Sequence, residues 1–522
     1  MGEAAVETIL PVRHWRTGVL ARWLPLIGYG GAGGGFAFAL FIRFWHLNTV
    51  GYNSDEAVYA GQARALAHDA NVLQFFPVFR AHPLLFQTIL SIGYRLGGGD
   101  LMGRSFAAAF GIGTVVLVYM TGRLLYGHRA GLLAALLIAL MPYDVLVSRQ
   151  VLLDGPATFF ATASLYLVAR YATTLQRPWL YAAGAAMGLT ILAKETSILA
   201  IGALFVFFAL SPEVRTRTRD LGLAAVAMFA VALAYPLSIH LAGGGHRGQN
   251  YLVWQLFRRP NHTWDFYPTN VPVAMGLLVV ACALLGLWFL KRQMSWRETL
   301  LLSWILVPAV FFQLWPVKGF QYLLPTAPPV ALLAGRMLGL WSPPSVSLRG
   351  LRVPGAVVSA ALCLLVLTSL GVESWARIAH KNSSVFIAGS GGLPGGRQTG
   401  LWIRNHTPLG SEFLAIGPSM ANLISFYGYR KAYGLSVGPN PLRRNPAYEP
   451  IGNADLALRR NEVQYLVWDA YSASRSPFFS QILDREVKKY HGVLKYSVTV
   501  DLPTKSGATA TQALINVYRV RS

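Results

Sequence analysis

The chain has 522 residues, of which 54% are hydrophobic and only 13% charged, whereas roughly a quarter of a soluble globular domain is charged. An ordinary soluble protein is excluded, and a polytopic membrane protein, with lipids as partners, is indicated. The net charge of +23, from 45 Lys+Arg against 22 Asp+Glu, suits anionic head groups or an anionic substrate. Nucleic acid is disfavoured, because the basic residues are spread over loops between apolar runs and form no single stripe.

Apolar segments long enough to span a bilayer, about 17 to 25 residues each, fall near 23–45, 105–122, 130–147, 157–172, 179–193, 197–212, 221–242, 271–290, 299–315, 322–340 and 355–374. These predict about 11 transmembrane helices. No small-residue cleavage site follows the first run, so it reads as a retained helix and not a removed signal peptide. Cys282 and Cys363 both lie inside apolar runs, which leaves no disulfide framework or zinc site to be read.

Loop charge sets the orientation. With the N-terminus cytoplasmic, the cytoplasmic loops carry 14 Lys/Arg in 64 residues and the opposite loops 10 in 105. The segment 83–97 is apolar but too short for a span. Counting it would invert every later loop, so it is assigned to an interfacial or re-entrant helix on the outer side. An odd number of spans places the tail outside the cytoplasm.

Residues 1–374 thus form the transmembrane domain, with a first outer loop at about 46–104. Residues 375–399, glycine-dense from Gly389 to Gly396, read as a linker. Residues 400–522 read as a small extracytoplasmic α/β domain. Its expected strands are Glu412–Gly417, Val463–Trp468, Leu494–Leu502 and Ala513–Val520, with a helix running through Tyr427.

Carboxylates are scarce, so their positions inform. In this topology Asp55, Glu56, Asp69, Asp100, Asp144, Asp154, Glu195 and Asp265 fall at or near the outer face. Asp55 and Glu56 are adjacent, and adjacent side chains do not share a helix face. One can face a cavity while the other pairs with a base or holds a cation. The plain alternative is a helix start over 56–67, capped by Ser54 or Asp55, with Glu56 at the positive end of the dipole. Asp154 stands beside a helix-initiating Pro156. Lys318 and Tyr322 sit at a span mouth, where a lone Lys commonly snorkels to head groups. Arg258 and Arg259 read either as a phosphate clamp or as a membrane-surface pair. No strong metal site is visible, although Asp55, Glu56 and Asp154 offer donors for a divalent cation; no other cofactor is indicated.

Taken in order, the motifs resemble the GT-C class of lipid-phosphosugar glycosyltransferases. They are most similar to the dolichyl-phosphate-mannose–protein mannosyltransferase group and its bacterial aminoarabinose transferase relatives. The resemblance rests on Asp55-Glu56-Ala-x-Tyr59, His82-Pro83-Leu-Leu and Arg104-Ser-Phe-Ala-Ala-Ala. It continues through Ser148-Arg149 leading to Asp154, Leu192-Ala-Lys194-Glu195, and Lys318 through Tyr322 to Pro325. It implies a GT-C fold and transfer of one sugar from a polyprenyl-phosphate donor to an extracytoplasmic hydroxyl of protein, lipid or polysaccharide. Inversion is expected, with Asp55 as general base and Glu56 and Asp154 shaping the pocket. His82, Arg258, Arg259, Lys318 and Tyr322 are the implied donor-phosphate ligands. His82 departs from the Lys-Pro of that group, exchanging a constant charge for one that titrates. The Gly- and Arg-rich, Lys-poor composition points to a bacterial plasma membrane.

Two other classes compete. A transporter or flippase should carry ionisable residues at mid-span and discontinuous helices, whereas here the acids gather on one face. A non-catalytic subunit of an envelope assembly would make the basic tail its working part, with 18 Lys/Arg against 8 Asp/Glu over 375–522.

Overall fold

The computed structural model describes the chain except at residues 1–16, 80–81, 243–253, 256, 292–293, 342, 349–350, 380–392, 441–443, 504–508 and 522. All eleven apolar segments are helical. Among the described residues five helices are long and apolar enough to cross a membrane: Asp100–Tyr126, Thr218–Leu241, Trp296–Leu314, Phe320–Leu340 and Gly355–Ile378. Two bent pairs raise the number to seven, so length and composition support fewer spans than the eleven expected. The first pair, His128–Leu140 and Pro142–Ser148, bends by 57° where Pro142 opens a new helix. The second, Phe266–Met275 and Leu277–Phe289, turns by 93° at Gly276, whose φ of +88° favours glycine.

Helices pack closely where small residues meet. A Cβ at Gly184 would fall 2.1 Å from the carbonyl oxygen of Ala224, so the helix Arg177–Ala193 lies directly on Thr218–Ala232. Two buried arginines of the bundle are paired with acids: Arg43 with Asp144, and Arg336 with Glu298 at 3.1 Å. Such pairs neutralise groups that would be costly to bury alone.

The long first loop is itself folded. Its helix Ser54–Leu66 begins at Asn53, whose side chain accepts from the Glu56 amide while the Glu56 carboxylate accepts from the Asn53 amide. This capping box makes Asn53 the cap, in place of the expected Ser54 or Asp55. The short helix Leu85–Arg95 packs on it through Phe86 and Leu90, both fully buried.

After a small hairpin (β1, Val346–Leu348; β2, Leu351–Val353) and the last long helix, the tail forms a five-stranded mixed sheet. Its strands are β3 (Glu412–Ala415), β4 (Lys431–Gly434), β5 (Tyr465–Asp469), β6 (Val493–Pro503) and β7 (Thr509–Arg519), in the order β4-β3-β5-β7-β6. β3 is parallel to both β4 and β5, while β7 is antiparallel to β5 and β6. The four expected strands are present and β4 is additional. Most of the expected linker, 380–392, lies outside the described residues, and helix resumes at Gly396–His406.

The tail rests on the first loop. Tyr52, Ala57, Phe76 and Phe86 share one apolar core with Ile403, Leu423, Phe426 and Val467. A polar seam surrounds it: the Tyr427 phenol donates to Asp100 and accepts from the Tyr52 amide, Arg397 donates to Asn48 and Asp100, and Asn422 donates to Ser54. A Cβ at Gly51 would meet that of Arg397 at 2.5 Å, so this contact needs glycine.

Candidate active site

Asp55 and Glu56 separate as their adjacency requires. Glu56 is 1% exposed and turned into the protein. One of its oxygens accepts from Arg104 Nε at 2.8 Å and the Val151 amide at 3.0 Å, the other from an Arg104 terminal nitrogen at 2.7 Å and the Asn53 amide at 2.9 Å. Four donors fill its acceptor capacity. Glu56 therefore holds helix, loop and bundle together and does not line the pocket, contrary to the sequence expectation. Asp55, one position earlier, faces a cavity of about 410 Å³, a usual size for a small-ligand site. Burial pushes its carboxyl above the ordinary carboxylate range and Asp154 adds to this, while His82 and Lys194 oppose it.

The same cavity gathers side chains far apart in sequence. Asp154, at the first turn of Asp154–Thr174, accepts from Lys194 Nζ at 2.6 Å, and that ammonium lies 4.5 Å from the centre of the Tyr322 ring. His82 Nδ1 sits 3.0 Å from both oxygens of Glu195. Arg258 hydrogen-bonds Gln255 at 3.0 Å and stacks over Trp254 at 4.6 Å. All of these residues line the chamber, joined by Asn445, Ala447 and Tyr448 from the tail.

A narrower crevice adjoins it. The crevice shares Asp154, Lys194, Thr196 and Tyr322 with the chamber and continues between helices past Ala157, Leu199, Trp304 and Phe312. Polar groups thus stand at one end of an apolar passage.

Of the expected phosphate ligands, His82, Arg258 and Tyr322 line the chamber, whereas Arg259 is exposed and does not. Lys318 is absent from its lining too. Its ammonium donates to the carbonyls of Gln313 (3.0 Å) and Trp315 (3.2 Å), closing the C-terminal end of the helix Trp296–Leu314, where the dipole favours a cation. It neither snorkels nor reaches the site. The three acids considered for a cation do not assemble either, since Glu56 is taken by Arg104 and Asp154 by Lys194. Among the described residues no group of three His, Cys, Asp or Glu side chains is placed to hold a metal.

Sequence reasoning placed Lys194 and Glu195 in the motif series and Glu195 at the outer face but gave neither a role in the site, though a charged doublet interrupting an apolar stretch was a usable signal. Gln62 and the tail residues gave none.

These features define the class: a helical membrane protein with the GT-C fold and a chamber at the junction of helix layer, first loop and tail. The fold is shared over almost the whole chain with ArnT from Cupriavidus metallidurans. Against its apo form the TM-score is 0.68 at 16% identity, covering 94% of this chain and 98% of that one. The form bound to undecaprenyl phosphate gives 0.66. The oligosaccharyltransferase AglB from Archaeoglobus fulgidus, in complex with an inhibitory peptide and a dolichol-phosphate, gives 0.58 at 14% identity, covering 93% and 74%.

In sequence, residues 81–240 match the family model of dolichyl-phosphate-mannose-protein mannosyltransferases. The undecaprenyl phosphate-alpha-4-amino-4-deoxy-L-arabinose arabinosyl transferase of Yersinia enterocolitica is 26% identical over 282 residues, 50% of each chain. The chain spans about half the length of such curated relatives. It resembles the GT-C polyprenyl-phosphate-sugar glycosyltransferase group both in a stretch of sequence and in its whole fold.

Proposed function

We propose that the protein is an integral membrane glycosyltransferase that moves one sugar from a polyprenyl-phosphate donor to a hydroxyl acceptor, with inversion, at the outer face of a bacterial plasma membrane. The observation that carries this reading is the position of Asp55 in one chamber with Arg258, Lys194 and Tyr322, at the mouth of an apolar crevice. The apolar walls of the crevice match an isoprenoid chain in chemistry, although the space between them, about 30 Å³, would have to widen to admit one, and Lys194 and Arg258 in the chamber suit the phosphate. The acceptor oxygen attacks the anomeric carbon as its proton passes to the Asp55 carboxylate. The bond from that carbon to the phosphate oxygen breaks, and polyprenyl phosphate leaves with the electron pair. A single displacement inverts the centre. The proton acceptor supplies about 10²–10⁴-fold of the rate.

The orientation, with the chamber and tail outside the cytoplasm, follows from loop charge.

The test uses the full chain in lipid nanodiscs with a radiolabelled polyprenyl-phosphate sugar. Asp55→Asn should slow release of polyprenyl phosphate by about 10²-fold or more while polyprenyl phosphate still binds. Release within twofold of wild type would remove Asp55 as the base, and no binding of either lipid would remove the reading.

A further inference from the structure

His82 and Glu195 meet on the wall of the chamber. His82 stands just before the helix Leu85–Arg95 of the first loop, Glu195 just after the helix Arg177–Ala193 of the bundle, and the two helices touch. Nδ1 of the imidazole lies 3.0 Å from each carboxylate oxygen. A pair that only fastened the loop to the bundle would be sealed, as Arg104 and Glu56 are at 8% and 1% exposure. Here both side chains keep 16% of their surface open, and both line the cavity.

The pairing fixes which nitrogen carries the first proton. A carboxylate only accepts hydrogen bonds, so Nδ1 holds a hydrogen and donates it to Glu195. In the neutral ring Nε2 then presents a lone pair, and in the charged ring it presents a second N–H. An anionic oxygen approaching Nε2 is repelled by the first and bound by the second. Glu195 supplies the counter-charge for the protonated ring.

Charged groups face this imidazole from several elements. Among the described residues that line the chamber they are Asp55 from Ser54–Leu66, Asp154 from Asp154–Thr174, Lys194 and Glu195 beyond Arg177–Ala193, and Arg258 from the fourth outer loop. The ring of Tyr59 stands edge-on to it at 5.8 Å. Lys194 is bonded to Asp154 and Arg258 to Gln255. Asp55 is near enough that the His82 charge opposes the effect of burial on its carboxyl. Histidine is the side chain whose charge ordinarily changes between about pH 5 and 8, so the electrostatics of this chamber depend on a proton.

We infer that His82 and Glu195 form a proton-linked phosphate site: the donor phosphate binds together with a proton, and the imidazolium donates from Nε2 to a phosphate oxygen and from Nδ1 to Glu195. This rests on the proposed glycosyl transfer and adds the regulation of its donor site. Glu195 is a positioning residue that acts through His82. One proton is taken from solvent as the phosphodiester binds and is returned when the phosphate leaves. By linkage, the anion and the proton raise each other's affinity by the same factor. Donor affinity is therefore highest in acid and falls as pH rises through the neutral range. Transfer needs Asp55 ionised, which acid prevents, so the two groups bound a pH window for turnover.

The experiment titrates the full chain, in phosphatidylcholine nanodiscs, with radiolabelled polyprenyl methyl phosphate. This probe is an unreactive phosphodiester whose single charge is fixed over the range tested, so the slope of log Kd against pH counts the protons taken up by the protein. The wild-type Kd should rise about tenfold between about pH 5.5 and 8. His82→Lys carries a charge that does not titrate there and should keep its acid-side affinity to within about threefold. Asp55, whose own ionisation also opposes an anion, is unchanged in that variant, so the difference between the two slopes belongs to His82. Glu195→Gln keeps the shape of the pair without the counter-charge and should move the wild-type midpoint to lower pH. A wild-type slope no steeper than that of His82→Lys, or a midpoint unmoved in Glu195→Gln, would overturn the inference and leave the glycosyl transfer standing. Failure of the probe to bind at any pH removes the glycosyl-transfer reading with it.

Discussion

Asp55 and Glu56 are neighbours in one helical turn, and their surroundings are opposite. Around Glu56, every acceptor position is filled by the chain itself: Arg104, the Asn53 amide and the Val151 amide. Around Asp55, the partners are an open chamber and charged groups that act across it. The same contrast separates the docking seam of Tyr427, Asp100 and Arg397 from the pairs Asp154–Lys194 and His82–Glu195, which keep one side toward the cavity. Buried charge marks a site only where the protein leaves some of its hydrogen-bonding capacity for another molecule.

Four perturbations probe that contrast. Glu56→Gln leaves the Arg104 guanidinium buried without its counter-charge, so a loss of about 3–5 kcal/mol of stability is expected. Thermal unfolding of the purified variant measures it, and a shift no larger than that of Asp55→Asn would erase the distinction drawn here. Tyr427→Phe removes one donor from Asp100 and one acceptor from Tyr52, at a cost of about 1–3 kcal/mol. Faster limited proteolysis between tail and bundle is the readout, and turnover of intact protein should be little changed.

The third perturbation is acid. Because burial raises the Asp55 carboxyl and the proposed base would act in its ionised form, activity should fall about tenfold per pH unit below its pKa. The midpoint should lie above the ordinary value of about 3.9. A rate flat down to pH 4 would contradict the assignment of Asp55. The smallest effect belongs to Lys318→Met. It removes a helix-end cation worth about 0.3–1 kcal/mol and should leave the KM for the donor unaltered, as expected of a residue outside the chamber.

Local periodicity made much of this architecture readable. The helices follow from apolar runs and their polar breaks, and β3, β5, β6 and β7 follow from alternating or continuous apolar stretches bounded by turns. β4 escaped because Lys431-Ala-Tyr-Gly434 is short and pairs at a sheet edge beside β3. The division of labour between Asp55 and Glu56 was half legible, since adjacency alone separates their directions but does not say which faces inward. Arg258 could not be told from Arg259, nor Lys318 from a phosphate ligand. Those outcomes depend on where Trp254, Gln255 and the end of a helix arrive in space. The tail's part in the chamber was invisible for the same reason: Asn445 and Tyr448 line it beside Asp55 and Asp154, some 290 to 390 positions earlier in the chain.

That separation also orders events in time. The Tyr52 amide and the Tyr427 phenol are bonded across 375 residues of chain, which corresponds to on the order of 20–75 s of synthesis. Throughout that interval the turn carrying Asp55 already exists, but the surface that completes its chamber has not been made. Until that part of the tail is made, the chamber lacks the wall that Asn445, Ala447 and Tyr448 supply.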